Sequence, residues 1–386
     1  NVLQAAMDAG LYIPYLCYYP GMKAFGACRM CVVNAEQPGP DGKYKPLPGS
    51  PASCTVPVAE GMRIQTQSAE IVSLRRGIME LLLSEHPHGC LTCHRVELCG
   101  PADICLRHVS VNDRCVTCPK NERCELKDTV RSLEMEMDTP LTYNNRHLPQ
   151  RTKDPFWEMD LNLCIVCGRC VRVCDEMRGD DALTFTNRAG RSLIGTSHGT
   201  SLLESGCEFC GACIDVCPTG ALVERDYKWD KMNRTVTSTC PHCPVGCQVD
   251  LEVDKRNRLI RTVGNRHAEA NHGQLCFKGK FGLDFVNHQE RLQKPLVRIN
   301  GNLEEQSWLD ALDVVAKKLL THKGDEYALI ASPRGTNEDN YIAQKFARTV
   351  MKTNNINISS NTRPELTPAL EEMLGYQAST NSIWEL

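Results

Sequence analysis

The chain has 386 residues, of which 41% are hydrophobic and 24% charged, and its formal net charge is −3. This is enough apolar material for two or more domains with their own cores. Because basic and acidic residues are mixed along the sequence, the charge pattern gives no sign of a nucleic-acid groove or of binding to an anionic membrane surface. No stretch approaches the roughly 18 uninterrupted apolar residues of a membrane span, so we expect membrane attachment only through partner subunits.

Cysteine dominates the composition, with 23 residues, most of them two or three residues apart. A disulfide-rich secreted protein is the plain alternative, but the odd count and the repeated C-x2-C pairs favour metal binding. The sequence begins within a predicted helix, Val2–Ala9, and stops within an alternating pattern. We therefore expect a fragment of a longer protein.

The first cysteine set has the spacing C-x10-C-x2-C-x22-C. Its members are Cys17, Cys28, Cys31 and Cys54. Gly21 and Gly26 lie in the loop that carries three of them, and the Gly- and Pro-rich stretch Pro38–Pro51 predicts an exposed loop before the fourth. The topology resembles a plant-type [2Fe–2S] ferredoxin. The spacing is similar to that of the large subunits of NADH dehydrogenase and NAD-linked formate dehydrogenase, and a zinc site is the alternative.

A helix predicted for Ala69–Glu85 leads into a second region with seven cysteines and a histidine. The spacing H-x3-C-x2-C-x5-C resembles the His-plus-three-Cys [4Fe–4S] motif of the same family, and its members are His86, Cys90, Cys93 and Cys99. His88 and His94 compete with His86 for the histidine position. The other four cysteines repeat C-x2-C-x5-C, which indicates a duplicated motif, and they are Cys105, Cys115, Cys118 and Cys124. A zinc-knuckle-like insert is the alternative for this last set.

The sequence does not decide which of these eight ligands share a cluster. The resembling family ordinarily has one cluster in this region, whereas this chain has ligands for two. The stretch from His86 to Cys90 resembles the start of the single motif, and Cys124-Glu-Leu resembles its end. The two sets can therefore also be interleaved, with Cys124 serving the His86 cluster. A neutral imidazole in place of a thiolate makes a cluster less negative and tends to raise its potential.

After a polar stretch, Asp138–Lys153, which predicts a linker, two C-x2-C-x2-C-x3-C runs follow. They resemble bacterial two-cluster ferredoxins, in which the fourth cysteine of each run ligates the other cluster. The resemblance implies one set made of Cys164, Cys167, Cys170 and Cys217. It implies a second set made of Cys207, Cys210, Cys213 and Cys174. Gly168 and Gly211 lie inside the runs, where a side chain is expected to crowd a sulfur and backbone N–H groups to point at it.

The last set, C-x2-C-x3-C-x28-C, resembles the N-terminal [4Fe–4S] lobe of the molybdopterin oxidoreductases. Its members are Cys240, Cys243, Cys247 and Cys276. In metal-containing members of that superfamily the lysine two residues after the last cysteine lies between cluster and pterin, so Lys278 is the candidate cofactor-binding residue here. A surface lysine is the alternative.

From Ser307 onward the pattern becomes α/β, as in the pterin-binding domain. Ser307 is expected to cap a helix through Leu320, Tyr327–Ala331 predicts a buried strand and Asn337–Met351 a second helix. In formate dehydrogenases a cysteine or selenocysteine and a histidine follow the segment that matches Asn354–Asn357. Residues 358–369 contain neither, with Thr362 or Arg363 near the ligand position. The resemblance thus argues against a working molybdopterin metal centre.

The predicted fold is a multidomain α+β chain. In order, its predicted parts are a β-grasp [2Fe–2S] ferredoxin-like domain (1–68), a Cys-rich helical segment with the His/Cys sets (69–137), a bacterial two-[4Fe–4S] ferredoxin domain (154–230) and the start of an α/β molybdopterin-oxidoreductase domain (236–386).

The resemblance implies the large iron–sulfur subunit of an NADH:quinone oxidoreductase-like complex, with one [2Fe–2S] and up to five [4Fe–4S] clusters and no catalytic residue of its own. The expected partners are a flavin-bearing, NADH-oxidising subunit and other oxidoreductase subunits. The expected location is cytoplasmic, at the inner face of the cell membrane as part of the complex. The alternatives are the alpha subunit of an NAD-linked molybdenum or tungsten formate dehydrogenase, an iron-hydrogenase-linked relay, and a zinc-binding structural module.

Overall fold

The computed structural model describes residues 1–375 except residues 88, 97, 101, 106–114, 136–140, 198 and 359–365. The chain divides into two compact units, Asn1–Lys231 and Met232–Leu386.

A small antiparallel sheet and one helix lie around the first cysteine set. These elements are α1 (Val2–Asp8), β1 (Asn34–Pro38), β2 (Tyr44–Pro46) and β3 (Arg63–Gln65). The strands pair in the order β2-β1-β3, and the core beneath them contains Leu3, Ile13 and Val33. The helix predicted for Val2–Ala9 is confirmed. The exposed loop predicted for Pro38–Pro51 is wrong where β2 pairs with β1.

Helix α2 (Ala69–Leu83) confirms the helix predicted for Ala69–Glu85. The hydroxyl of Ser68 accepts the N–H of Ile71 at 3.2 Å, which satisfies one of the free donors of the first turn. Helix α3 (Glu125–Ser132) begins at Cys124. Leu126 of α3 shares a core with Met79 of α2, so the packing of the two helices fixes the position of Cys124.

The rest of the first unit consists of short elements around the two ferredoxin-like runs. They are β4 (Trp157–Met159), α4 (Arg169–Arg172), β5 (Thr184–Thr186), β6 (Leu193–Gly195), α5 (Ala212–Asp215) and β7 (Leu222–Glu224). β4 pairs with β7 and β5 with β6, both antiparallel. Residues 138–140 of the predicted linker lie outside the described part. After residue 140 the stretch contacts the end of α2, because the N–H of Asn144 donates to the carbonyl of Ser84 at 2.7 Å.

The second unit starts with a three-stranded antiparallel sheet and continues as an α/β segment. Its first elements are β8 (Arg234–Thr239), β9 (Gln248–Val253), β10 (Leu259–Gly264), α6 (Phe277–Phe281), β11 (Leu296–Ile299) and β12 (Asn302–Glu305). They are followed by α7 (Trp308–Thr321), β13 (Leu329–Ala331), α8 (Asn337–Thr349), β14 (Ile356–Ile358) and α9 (Leu366–Leu374). β13 and β14 are parallel, and α8 connects them. The hydroxyl of Ser307 caps α7, and the two predicted helices are confirmed. A strand, β13, lies between them, but the prediction that it is buried is wrong, since Ile330 is 74% exposed and the described sheet has only two strands.

Candidate metal centres

All 23 cysteines are free thiols, so the alternative of a disulfide framework is wrong. Among the described residues, no group of three or more His, Cys, Asp or Glu side chains forms a site for a single metal ion.

The first cysteine set lies in the core beneath the β2-β1-β3 sheet. The N–H of Cys17 donates to the Sγ of Cys28, and the N–H of Cys28 donates to the Sγ of Cys17, both at 3.4 Å. The hydrogen bond from the Cys17 thiol lowers the pKa of Cys28 to about 6, and the corresponding bond from the Cys54 thiol lowers the pKa of Cys31 to about 7. The four side chains are thus brought together as two hydrogen-bonded pairs. Three buried cysteines and the half-buried Cys28, with backbone donors, fit a thiolate-ligated iron–sulfur cluster.

The two ferredoxin-like runs adopt the same local conformation. The N–H of Val166 donates to the Sγ of Cys164 at 3.4 Å, and two residues after Cys207 the N–H of Phe209 donates to its Sγ at 3.4 Å. Val166 and Phe209 have φ values of 52° and 53°. This left-handed backbone turns the N–H groups toward the sulfurs, as the duplicated spacing predicts.

The glycines inside these runs both have a left-handed backbone, and at Gly168 the close neighbours differ from the expected sulfur. Gly168 and Gly211 have φ values of 74° and 75° and immediately precede α4 and α5. A Cβ on Gly168 would lie 2.7 Å from Cζ of Phe185 and 3.4 Å from Cε1 of Phe25. The crowding at Gly168 is therefore against aromatic rings rather than against a sulfur.

One cavity gathers the first set implied by the ferredoxin resemblance. It is lined by four cysteines, Cys164, Cys167, Cys170 and Cys217. Burial raises the pKa of Cys164 to about 11 and that of Cys167 to about 12. Thiols in such a place need a metal or a cation to become thiolates. The donor set of this cavity therefore fits a [4Fe–4S] cluster.

The second ferredoxin-like set adjoins the first. Burial is the main reason why the pKa of Cys213 is raised, and the neighbouring thiols that raise it further are Cys210, Cys170, Cys207 and Cys174. Three of these four belong to the same implied set, and Cys170 belongs to the other. The two groups of sulfurs are therefore next to each other.

The region from His86 to Cys124 contains a cavity of about 300 Å³. Four possible ligands line it, namely His86, Cys115, Cys118 and Cys124. This lining agrees with the interleaved alternative, in which Cys124 lies with His86. Cys90 does not line the cavity, but its side chain forms a hydrogen bond with Cys115 that is the largest cause of the raised pKa of Cys115. Cys93, Cys99 and Cys105 do not line the cavity.

A short segment after Cys217 separates this cavity from the ferredoxin-like sets. The thiol of Cys124 donates to the carbonyl of Pro218 at 3.6 Å. A Cβ on Gly220 would lie 2.5 Å from the Sγ of Cys118, so only glycine fits there. The same stretch of chain thus contacts two different cysteine sets, which brings them close together.

Buried cations, which the sequence reasoning did not single out, connect the sets. The side chain of Arg169 is fully buried and pairs with Glu125 at 2.8 Å. The Nη1 atom of Arg172 donates to the carbonyl of Cys17 at 3.1 Å. Nζ of Lys120 donates to the carbonyl of Ile214 at 3.1 Å. The only signal in the sequence is that both arginines lie within a cysteine run.

The last set lies in the second unit, at one end of the β10-β9-β8 sheet. The N–H of Cys240 donates to the carbonyl of Cys247 at 2.8 Å, while Cys243 and Cys276 are exposed. Lys278 is an exposed residue of α6. Lys280, one turn away from Cys276, is buried, and its Nζ donates to the carbonyl of Thr262 at 2.8 Å.

Comparison with family models agrees with this series of sites. The matches are a 2Fe-2S iron-sulfur cluster binding domain (1–69), the NADH-ubiquinone oxidoreductase-G iron-sulfur binding region (75–108), the ferredoxin-like domain of NADH-quinone oxidoreductase subunit 3 (154–223), the molybdopterin oxidoreductase Fe4S4 domain (233–288) and molybdopterin oxidoreductase (291–385). The matched regions are those of NADH-quinone oxidoreductase G subunits and of molybdopterin oxidoreductases, and the homologues include NADH-quinone oxidoreductase G subunits and formate dehydrogenase-like proteins. The predicted α+β multidomain fold class is confirmed.

Individual relatives cover nearly the whole chain. The alpha subunit of a NADPH-Fe(3+) oxidoreductase of Geobacter sulfurreducens is 32% identical over 99% of this chain and 41% of its own length. NADH-quinone oxidoreductase subunit 3 of Thermus thermophilus is 32% identical over 94% of this chain and 46% of its own. A putative formate dehydrogenase of Staphylococcus aureus is 25% identical over 100% of this chain and 40% of its own. The chain therefore spans less than half the length of these relatives. In the described residues, no helix has the length and apolar character needed to cross a membrane.

Proposed function

We propose that this chain is the electron-transfer iron–sulfur subunit of an NADH:quinone oxidoreductase-like complex, taking electrons from a flavin-bearing, NADH-oxidising partner. The observation that carries the proposal is the contact between successive cysteine sets within residues 1–231. Arg172 of α4 donates to the carbonyl of Cys17, and the segment after Cys217 contacts Cys118 and Cys124. Bound clusters supply one-electron carriers, and the chain holds them side by side.

The residues proposed to hold these clusters are the 23 cysteines and His86. Free thiols, backbone N–H groups aimed at Sγ atoms and burial together suit iron–sulfur ligation better than isolated metal ions. Lys278 is a proposed pterin-side residue only if the rest of a pterin domain is present in the full protein. No catalytic residue is proposed on this chain.

Anaerobic purification of the chain together with its co-purifying subunits tests the proposal. We expect about 22 irons per chain when one [2Fe–2S] and five [4Fe–4S] sites are filled. We also expect NADH to reduce the clusters, as seen by EPR, only when the flavin subunit is present. Iron-free protein with stoichiometric zinc would refute the proposal. The partner and a place at the inner face of the cell membrane would be tested by co-purification and by membrane fractionation.

A second candidate is the alpha subunit of an NAD-linked formate dehydrogenase. Two complete ferredoxin-like runs and the formate dehydrogenase-like relative favour it. Against it, residues 358–369 contain no cysteine or histidine, although residues 359–365, with Thr362 and Arg363, lie outside the described part. Stoichiometric molybdenum or tungsten together with formate-dependent reduction of NAD would decide for this candidate.

A further inference from the structure

We propose that the chain between His86 and Cys115, here called the insertion, holds a [4Fe–4S] site of its own that is separate from a buried site behind it. The insertion site is formed by Cys90, Cys93, Cys99 and Cys105. The buried site is formed by His86, Cys115, Cys118 and Cys124. This assignment rests on the proposed function, because both require that the chain binds iron–sulfur clusters.

The first argument is the composition of the buried cavity. Four possible ligands line the cavity of about 300 Å³, and they are the histidine before the insertion and the three cysteines after it. His86 is 6% exposed and Cys124 is 8% exposed. A tetranuclear cluster needs four protein ligands. The cavity therefore has a complete set without any cysteine of the insertion.

The second argument is the rigid support of the buried site. Cys124 is the N-cap of α3, and its Sγ accepts the N–H of Lys127 at 3.5 Å, so a thiolate there faces backbone donors at a helix start. Cys118 lies against Gly220, where a Cβ would come within 2.5 Å of its Sγ. These contacts involve residues of the helical core and of the ferredoxin-like part. None of them involves the insertion.

The third argument is the local structure of the insertion. The N–H of Cys93 donates to the carbonyl of Cys90 at 3.0 Å, and the N–H of Cys99 donates to the carbonyl of Arg95 at 3.2 Å. Both bonds close tight turns, which shorten the path of the chain between Cys90 and Cys99. The spacing C-x2-C-x5-C-x5-C supplies four thiols, which is one complete ligand set.

The insertion also differs from the buried site in its exposure to solvent. Leu98, next to Cys99, is 77% exposed, and Ile104, next to Cys105, is 81% exposed. All four cysteines of the insertion are half-buried. Cys115 and Cys118 of the buried site are half-buried as well, so the difference lies in His86 and Cys124, which are buried, and in the exposed neighbours of the insertion cysteines.

Two observations favour the sequential assignment instead. The match to the G-subunit iron-sulfur binding region covers residues 75–108 and ends before Cys115, and the Cys90 thiol contacts that of Cys115. In the sequential assignment Cys99 shares a cluster with His86, and Cys105 shares one with Cys115. In ours, Cys99 and Cys105 share one cluster. The two assignments therefore differ in which pairs of substitutions act on the same cluster.

The test compares the iron lost by single and by double variants of the anaerobically reconstituted full chain. Cys99→Ala and Cys105→Ala should each remove about four irons, and the double variant should also lack only about four. His86→Ala combined with Cys99→Ala should lack about eight. Leu98→Ala is the matched control in the same insertion and should retain the iron content of the unaltered protein.

A spectroscopic measurement makes the test independent of folding losses. Histidine ligation gives a nitrogen coupling in ENDOR spectra of the reduced protein. This signal should persist in the Cys99→Ala/Cys105→Ala double variant and disappear in His86→Cys, which should retain full iron.

The assignment would be overturned if the Cys99/Cys105 double variant lost about eight irons or lost the nitrogen coupling. It would also be overturned by zinc instead of iron in the insertion, or by variants that lose no iron at all. An unaltered chain without iron would instead refute the proposed function. If the unaltered chain has full iron but the Cys99→Ala/Cys105→Ala variant lacks about eight irons, only the assignment of ligands to the two sites is refuted.

Discussion

Replacing Arg169 by Met tests whether a buried cation holds together the segments that carry the cysteines. The Arg169 side chain is 0% exposed, and its Nη1 donates to both carboxylate oxygens of Glu125 at 2.8 and 2.9 Å and to the carbonyl of Val216 at 3.2 Å. The guanidinium carbon lies 5.7 Å from the ring centroids of Tyr15 and Tyr19. One side chain therefore joins the first cysteine loop, α3 and the ferredoxin-like part.

The expected magnitude follows from how these contacts are buried. Removing one partner of a fully buried ion pair costs about 3–5 kcal/mol, because the other charge stays desolvated. Glu125 is 36% exposed, so its carboxylate regains water and that penalty is only partly incurred. Hydrogen bonds to a charged group contribute about 1.5–3 kcal/mol. We expect Arg169→Met to lower the free energy of unfolding by about 2–3 kcal/mol.

The assay is an anaerobic urea titration that follows the visible iron–sulfur absorbance and the far-ultraviolet circular dichroism together. Arg178→Met is the matched control, because Arg178 pairs with Glu208 at 3.5 Å and Glu208 is 68% exposed. Such a surface pair is worth about 0–1 kcal/mol. Equal urea midpoints for Arg169→Met and Arg178→Met would show that the buried cation does not connect these segments.

Two further substitutions act at glycines that the structure makes obligatory. Gly168→Ala should destabilise the chain by about 1–3 kcal/mol more than Gly179→Ala, because both glycines have positive φ but only Gly168 faces the ring of Phe185. Urea unfolding measures the difference in stability. Equal losses of stability in the two variants would contradict the steric argument. Gly220→Ala should remove about four irons by displacing Cys118, and full iron content would show that the segment can move away.

Sequence spacing predicts local structure best within a single cysteine run, although each implied ferredoxin-like set takes its fourth cysteine from the other run. In the ferredoxin-like part, spacing and local turns coincide, so the same left-handed residues, Val166 and Phe209, recur at matching positions. Helices α1, α2, α7 and α8 were likewise predictable from caps and apolar spacing. The hairpin strand β2 was missed because its glycine- and proline-rich surroundings are typical of loops.

What the sequence could not give depends on packing between distant segments. His86 lines one cavity with Cys115, Cys118 and Cys124 once α2 and α3 pack together, whereas the motif resemblance offered the pairing of His86 with Cys124 only as one of two alternatives. The aromatic contact of Gly168 has the same origin, because Phe185 belongs to a separate hairpin.

The buried cations explain how so many thiolates can be placed close together. Four thiolates around a cluster carry negative charge, and burying charge without compensation is expensive. Nζ of Lys120 donates to the carbonyl of Ile214, which accepts a hydrogen bond but does not neutralise the positive charge, whereas Arg172 pairs with Glu176 at 3.0 Å in addition to its bond to the carbonyl of Cys17. Burial raises the pKa of Cys118 and the Lys120 ammonium opposes it, while burial in turn lowers the pKa of Lys120. Each of these two charges is costly to bury without the other, so cluster binding at Cys118 and the burial of Lys120 stabilise one another.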